Sequence, residues 1–175
     1  IDTIQLVPEG VSAEDAIFMP SIETALSVVH DAHVRGGENV AVFGQGLIGL
    51  FVTAMLNLHA NQEPSLRGKY GTITTFETLP DRLAASAKMG ATQALLPGGF
   101  SGPFDVTIEI SGNSRALQSA IDSTSDGGRI IVGSWYGNSD VSLKLGMNFH
   151  RSHKSLLTSQ VSEIPATMLG LWDKE

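Results

Sequence analysis

Three glycines at the spacing GxGxxG form the pattern in this sequence best suited to bind a charged ligand: Gly44, Gly46 and Gly49. A short apolar run precedes them and a longer one follows, as at a strand-to-helix turn. There the first glycine permits a tight turn, the second lets the backbone approach a pyrophosphate, and the third lets helix and strand pack closely. The amides of Leu47 and Ile48 would meet the phosphates at the positive end of the helix dipole. The alternative is that the glycines serve packing alone.

An acidic residue, Glu77, stands at the end of the next apolar run. A carboxylate there accepts hydrogen bonds from the ribose hydroxyls of a bound adenosine and repels a 2′-phosphate, which favours NAD over NADP. The usual gap to this acid is about 20 residues, and here it is 28 from Gly49. The polar loop Asn61–Gly71 accounts for the excess. Arg82 weakens this preference for NAD, because a nearby arginine can bind a 2′-phosphate. The alternative for Glu77 is a solvated glutamate at the end of a strand.

Two further loops follow apolar runs with small residues, Ser111-Gly112 and Gly133-Ser134. Ligands of open α/β sheets bind beyond the carboxyl ends of the strands. We therefore expect these four residues to line the groove that runs from adenine to nicotinamide. The alternative is that they are simple strand-to-helix turns.

The elements that would position these residues alternate along the chain. The predicted strands are Asn39–Phe43, Thr72–Glu77, Ala94–Leu96, Asp105–Ile110, Arg129–Gly133 and Ser155–Gln160; the predicted helices are Ser21–Val34, Leu47–Ala60, Leu79–Ala91 and Asn113–Thr124. This alternation predicts an α/β fold: a Rossmann, doubly wound parallel sheet of about six strands with helices on both faces. Val141–Leu145 alternates apolar and polar residues and predicts an additional edge strand.

Composition excludes several classes of protein. The 175 residues carry a net charge of −7 without a basic cluster, so neither a nucleic-acid footprint nor a membrane-surface patch is expected. No cysteine is present, which excludes disulfides and thiolate metal sites. The first residues do not form a signal peptide, and no apolar run approaches the roughly 20 residues of a membrane span. A cytoplasmic location suits these features.

In order along the chain, several segments resemble the cofactor domain of the medium-chain dehydrogenase/reductase superfamily, the zinc alcohol dehydrogenase group. They are VPEGVSAEDAIFMPSIETAL, GENVAVFGQGLIGL, DRLAASAKMGAT, DVTIEISGNSRALQSAID and GGRIIVGSWYG. The resemblance implies an NAD-binding domain at residues 21–175, with residues 1–20 as the lead-in from a catalytic domain that this sequence lacks. It further implies hydride transfer between an alcohol or ketone and NAD in the whole enzyme, with this chain alone inactive.

The same resemblance bears on two residues of the first helix. Thr24 falls where the family has a residue that touches the nicotinamide ring. A family zinc ligand falls at Pro20, which cannot bind metal, and neighbouring Glu23 suits the helix dipole better than it suits a ligand. We assign no catalytic or metal-binding residue here, His150 and His153 included, and expect zinc only in the full-length protein.

Two other functions remain open from the residues alone. An S-adenosylmethionine-dependent methyltransferase also places a glycine loop after its first strand and an acid after its second. A non-catalytic nucleotide-binding module would explain the missing zinc ligand. As partners we expect a small-molecule substrate in the whole protein and a homodimer formed through edge strands, with Trp135–Leu145 in the interface.

Overall fold

The computed structural model describes residues 6–62, 71–99 and 102–161, with side chains of the third helix described as far as Leu58. The helices are α1 (Ala13–Ala16), α2 (Met19–Ala32), α3 (Leu47–Gln62), α4 (Pro80–Lys88) and α5 (Ser114–Ser123), and a π-helical turn spans Gly146–His150. The strands are β1 (Val40–Phe43), β2 (Ile73–Phe76), β3 (Gln93–Leu95), β4 (Phe104–Glu109), β5 (Thr124–Val132) and β6 (Ser155–Thr158).

All six strands are parallel, in the order β3-β2-β1-β4-β5-β6. The chain moves outward from β1 in one direction through β2 and β3, and then crosses back to place β4 on the other side. This reversal between β1 and β4 creates a crevice beyond their carboxyl ends, where ligands of doubly wound sheets bind. The predicted Rossmann class and the six strands are confirmed.

Helices cover both faces of the sheet, as predicted. On one face α2 and α3 pack against alternate residues of the central strands, among them Val40, Val42 and Val106. On the other face α5 packs against Ala41, Phe43 and the strands beside them. The central strands are buried on both sides, which explains their continuous β-branched and aromatic sequences.

Helix α2 runs antiparallel to the strands, and one arginine fixes its carboxyl end. Arg129, near the start of the regular part of β5, donates to the carbonyl oxygens of Ala32 (3.3 Å) and His33 (3.1 Å). Both nitrogens of its guanidinium terminus also donate to Glu38, at 3.0 and 2.7 Å. Because the carboxyl end of α2 lies at the amino edge of the sheet, its amino end points toward the crevice.

The start of α2 and the extent of the polar loop differ from the prediction. Helix α2 begins at Met19 rather than at Ser21: Ser21 N–H already donates to the Phe18 carbonyl, and Pro20 suits a first turn that needs no N–H. The boundary placed after residue 20 therefore falls inside this helix. In the polar loop Asn61–Gly71, Asn61 and Gln62 extend α3, and residues 63–70 lie outside the described part.

The predicted edge strand Val141–Leu145 is wrong. This segment has no strand pairing, and Val141 and Leu143 are partly buried against the α5-side core. The Lys144 amide donates to the Gln118 side chain of α5 instead of to a neighbouring strand. Alternating apolar residues also occur in an irregular segment that lies across one face of a fold. The described sheet has two edge strands, β3 and β6, and β6, which follows this segment in the chain, pairs with β5 in parallel.

Candidate functional site

The candidate site is the crevice where the loops after β1, β4 and β5 meet. These strands are neighbours, and Phe43, Glu109 and Val132 stand side by side at their carboxyl ends. The chain after each strand is the loop predicted to meet a ligand. The structure thus brings the glycine loop together with Ser111-Gly112 and Gly133-Ser134.

The glycines of the first loop have three different surroundings. Gly44 has φ +97°, and a Cβ on it would lie 2.7 Å from Ser111 Cα, so its backbone packs directly on the loop after β4. A Cβ on Gly49 would overlap the carbonyl oxygen of Gly44, so this glycine serves helix packing. Around Gly46 the space is open: the nearest atom to a Cβ there is Arg82 Nη1 at 3.9 Å.

The first turn of α3 presents backbone donors to this open space. Within the described residues, no protein acceptor bonds the amides of Leu47 or Ile48, while Leu50 N–H already donates to Gly46 carbonyl. The dipole of a 16-residue helix adds partial positive charge at this end. The geometry therefore suits an anionic group over Gly46, and free backbone amides at a helix amino end are donors that suit a phosphate.

Gln45 is a structural residue of the loop that the sequence did not indicate. Its side chain is fully buried, donates to the Gly44 carbonyl and accepts from the Thr53 hydroxyl at 3.1 Å. The side chain therefore points into the fold and leaves the outer side of the loop clear. Its polarity alone predicts exposure, so only the contact with Thr53 on α3 reveals this role.

Glu77 lies at the predicted strand end, but its carboxylate turns toward the glycine loop. Oε2 accepts from the Gln45 amide at 2.8 Å, and Oε1 accepts from the amides of Thr78 (2.7 Å) and Leu79 (3.2 Å). The side chain is 8% exposed. Burial raises the pKa of Glu77, and the hydrogen bonds from these amides outweigh it and leave the pKa below its usual value. Glu77 is thus a buried anion, not a solvated strand end.

Arg82 of α4 lies beside both groups. Its Nη1 is 3.8 Å from Glu77 Oε2, and the side chain is half exposed next to the open space over Gly46. From the sequence, Arg82 is expected only to weaken the preference for NAD over NADP. Its position makes it a cation that faces the same crevice as the free amides.

Hydrogen bonds join the loops after β4 and β5. The Gly112 amide donates to the Ser134 hydroxyl at 2.8 Å, and the Gly133 amide donates to the Glu109 carbonyl at 2.9 Å. A Cβ on Gly133 would lie 2.7 Å from Ile110 Cδ1 and 3.1 Å from Val28 Cγ2, so these side chains pack closely on its backbone. Ser111 and Gly112 are exposed, and Ser134 is partly so. The surface-accessible pair at this end is therefore Ser111-Gly112.

Thr24 is the predicted site residue farthest from the loops along the chain. In α2 it lies one turn before Val28. The Cγ2 atom of Val28 would lie 3.1 Å from a Cβ on Gly133. Since α2 points its amino end toward the crevice, Thr24 lies on the crevice side of that contact. Its hydroxyl donates to the Pro20 carbonyl at 2.9 Å.

Residues 6–62, 71–99 and 102–161 contain no group of three or more histidine and acidic side chains arranged to hold a metal ion. Over these same ranges no helix combines the length and the apolar character needed to cross a bilayer.

Sequence comparison finds relatives among curated dehydrogenases. Sorbitol dehydrogenase of Bacillus subtilis is 27% identical over 142 residues, which cover 75% of this chain and 38% of that protein. S-(hydroxymethyl)glutathione dehydrogenase of Haemophilus influenzae is 27% identical over 146 residues, which cover 75% of this chain and 36% of that protein. The chain thus spans less than half the length of these relatives. No family model matches it.

Structure comparison gives the same fold. An alcohol dehydrogenase from Escherichia coli CFT073, solved with NADH, superposes with a TM-score of 0.76 at 17% identity, covering 90% of this chain and 46% of that one. A zinc-binding dehydrogenase from Sinorhizobium meliloti, solved with NADP, superposes with a TM-score of 0.74 at 17% identity, covering 87% and 46%. At these identities the likeness shows a shared fold.

Proposed function

We propose that this chain, which is related to the zinc-type medium-chain alcohol dehydrogenases over about three quarters of its length, binds a nicotinamide dinucleotide in the crevice between β1 and β4. The observation that carries the proposal is the open space over Gly46, bordered by the unbonded amides of Leu47 and Ile48. A pyrophosphate there meets backbone donors and the helix dipole without a side chain in its way.

The positions of the other loops give the dinucleotide a direction. The adenosine ribose belongs near the acid after β2, which is Glu77, and the pyrophosphate belongs over Gly46. The nicotinamide half then extends to the opposite side, over Ser111-Gly112 and Gly133-Ser134 and toward the amino end of α2 that carries Thr24. In this proposal these residues border one crevice at the carboxyl edge of the sheet.

We further propose NAD as the preferred cofactor. Glu77 is ionised and lies against the loop, so its charge opposes a 2′-phosphate at the adenosine ribose. Arg82 partly offsets this charge from 3.8 Å and permits weaker binding of NADP. Solved structures with this fold contain either cofactor, so the preference rests on Glu77.

For the whole protein we propose an oxidoreductase that transfers hydride between an alcohol or ketone and the nicotinamide, which supplies that chemistry. The residues described here bind and orient the cofactor, and none of them is placed to activate an alcohol. We therefore expect this chain alone to bind cofactor without turnover. Zinc and the small-molecule substrate belong, in this proposal, to the catalytic domain of the whole protein, in the cytoplasm.

We also propose a homodimer. Strand β6 is an edge strand, Leu156 and Leu157 on it are 36% and 40% exposed, and Trp135 in the loop after β5 is 92% exposed. A sheet edge with exposed apolar side chains is a template for pairing with a second copy. The interface would include Trp135–Leu145 as expected from the sequence, with β6 as the paired strand.

Titration of the purified chain with NADH and, separately, with S-adenosylmethionine tests the proposed function. Saturable NADH binding, followed by nicotinamide fluorescence, and the absence of calorimetric heat with S-adenosylmethionine are expected. Binding of S-adenosylmethionine but not of NADH would replace the proposal with a methyltransferase. Binding of neither would remove the nucleotide site itself.

A further inference from the structure

A fully buried carboxylate, Glu109, stands at the centre of the crevice floor without a role in the proposed binding of phosphate or ribose. It is the last residue of β4, with β1 and β5 on either side, and its exposed fraction is zero. Among the described residues no lysine or arginine forms an ion pair with it. Burial of a carboxylate is costly unless hydrogen bonds satisfy it, so its partners must explain its presence.

Glu109 binds donors from two loops. Oε1 accepts from the Ser111 amide at 2.7 Å and from the Ser111 hydroxyl at 2.6 Å, and Oε2 accepts from the Tyr136 hydroxyl at 2.6 Å. Ser111 belongs to the loop after β4, and Tyr136 belongs to the loop after β5. Bonds between a charged acceptor and such donors are stronger than those between neutral groups.

The same carboxylate reaches the third loop through Ser111. The backbone of Gly44 packs so closely on Ser111 that a Cβ would lie 2.7 Å from its Cα. A change in the position of Ser111 must therefore move the glycine loop or open a gap beside it. The loops after β4 and β5 thus bond to this side chain directly, and the glycine loop packs on Ser111, one of its partners.

The Tyr136 phenol is held in its protonated, donating form. Burial raises the pKa of the Tyr136 phenol above its ordinary value of 10, and the hydrogen bond to Glu109 and the charge of that carboxylate raise it further. The phenol therefore stays protonated and remains a donor. Its ring packs with the α5-side core, which anchors the donor from the other end.

We propose that Glu109 is a positioning residue that holds the loops after β4 and β5 in the shape that receives the nicotinamide half of the cofactor. This inference rests on the proposed function, because it assumes that the dinucleotide lies with its nicotinamide over these loops. The adenosine half lies over β2 and the glycine loop. Without the Glu109 contacts, the nicotinamide should therefore contribute less to the affinity for the cofactor.

The test compares NADH with ADP-ribose, which lacks only the nicotinamide, on the wild-type chain and on Glu109→Leu, Glu109→Gln and Tyr136→Phe. Glu109→Leu should weaken NADH about tenfold more than ADP-ribose, the loss expected for one charged hydrogen bond. Tyr136→Phe should show a smaller loss in the same direction. Glu109→Gln should restore most of the NADH affinity, because its amide can accept from Ser111 and donate to the tyrosine oxygen.

Thr107→Val is the matched control, since Thr107 is buried on the same strand and the same face and bonds Thr124 at 2.9 Å, away from the crevice. It should lower stability and leave the ratio of the two affinities unchanged. If Glu109→Leu does not fold, Tyr136→Phe decides. If the folded variants keep the wild-type ratio of NADH to ADP-ribose affinity, Glu109 has no positioning role. NADH binding by the wild type still supports the proposed function in that case. A wild-type chain that binds no NADH overturns both.

Discussion

At Gly46 an added side chain would enter the open space proposed for the pyrophosphate. Gly46 has no atom other than Arg82 Nη1 within 4 Å of a Cβ. We predict that Gly46→Val abolishes NADH binding and leaves the free energy of unfolding nearly unchanged, because the side chain occupies only the space of the pyrophosphate. Fluorescence titration and urea unfolding measure the two effects.

Gly146→Val is the control for this substitution. Gly146 also has open space around a Cβ and no positive φ, and it lies in the π-helical turn before β6. NADH affinity should stay at the wild-type value in this variant. Equal affinity of the Gly46→Val chain and the wild type would show that the glycine loop does not bind the phosphates.

Glu77 combines two roles that different substitutions separate. Glu77→Ala should weaken NADH, narrow its advantage over NADPH and lower stability by about 1–3 kcal/mol, because the amides of Gln45, Thr78 and Leu79 lose their acceptor. Glu77→Gln retains an acceptor oxygen and removes the charge, so it should improve NADPH binding at a smaller cost in stability. Affinities for both cofactors, measured on both variants, check this. Equal losses for NADH and NADPH would argue against Glu77 as the source of cofactor choice.

Among the elements, α2 points toward the crevice because Arg129 of β5 bonds to the carboxyl end of α2 and to Glu38. Burial raises the pKa of Glu38, but the hydrogen bond and charge of Arg129 outweigh it and hold the pKa below its ordinary value of 4.5. A carboxyl whose pKa is lower in the folded state stabilises the fold above its unfolded pKa. That stability is lost as the pH falls through the folded pKa.

Glu38→Gln should therefore lower the free energy of unfolding by about 1–3 kcal/mol at pH 7. The difference from the wild type should shrink as the pH falls below about 4.5. Urea unfolding of both proteins at pH 7 and pH 3.5 measures it. A difference that stays constant between the two pH values would contradict the ion pair as its cause.

The elements differ in how well sequence alone predicts them. Strands β1, β2 and β4 lie within one residue of their predicted bounds, because burial on both faces requires an unbroken apolar run, as in Val40–Phe43. Strand β5 begins at Thr124, five residues before the predicted start at Arg129. Asn113, the predicted start of the helix that became α5, is its N-cap, since its side chain accepts from the Arg115 amide. The strand prediction at Val141–Leu145 is wrong because alternation with a period of two shows only that one side of a segment is buried. An irregular segment that lies across α5 also has one buried side.

Within the site, local motifs were predictable and long-range contacts were not. The GxGxxG loop, its helix and the strand-end acid follow from neighbouring residues. The burial of Gln45, the inward turn of Glu77 and the bond from Tyr136 to Glu109 join residues 8 to 32 positions apart. One signal was available: a glutamate inside the apolar strand DVTIEI must find donors if the strand is buried.

At the scale of the whole molecule, the exposed edge at β6 predicts self-association. We expect sedimentation at micromolar concentration to show a dimer, and we expect Leu157→Lys or Trp135→Ser to give monomers, because both residues are exposed and apolar at the proposed interface. Leu58→Lys is the control, since Leu58 is 53% exposed on α3, away from β6. A wild-type monomer, or a dimer that both interface variants leave intact, would contradict this interface.

The central claim is that one crevice at the carboxyl edge of the sheet binds the whole dinucleotide. Amide chemical shifts of the isotope-labelled chain, recorded during titration with NADH, test it most directly. We expect shifts of the amides of Leu47 and Ile48 on the phosphate side and of Thr78 on the ribose side. On the nicotinamide side we expect shifts at Gly112 and Ser134. Shifts that leave Leu47 and Ile48 unchanged, or that cluster on another surface, would contradict it.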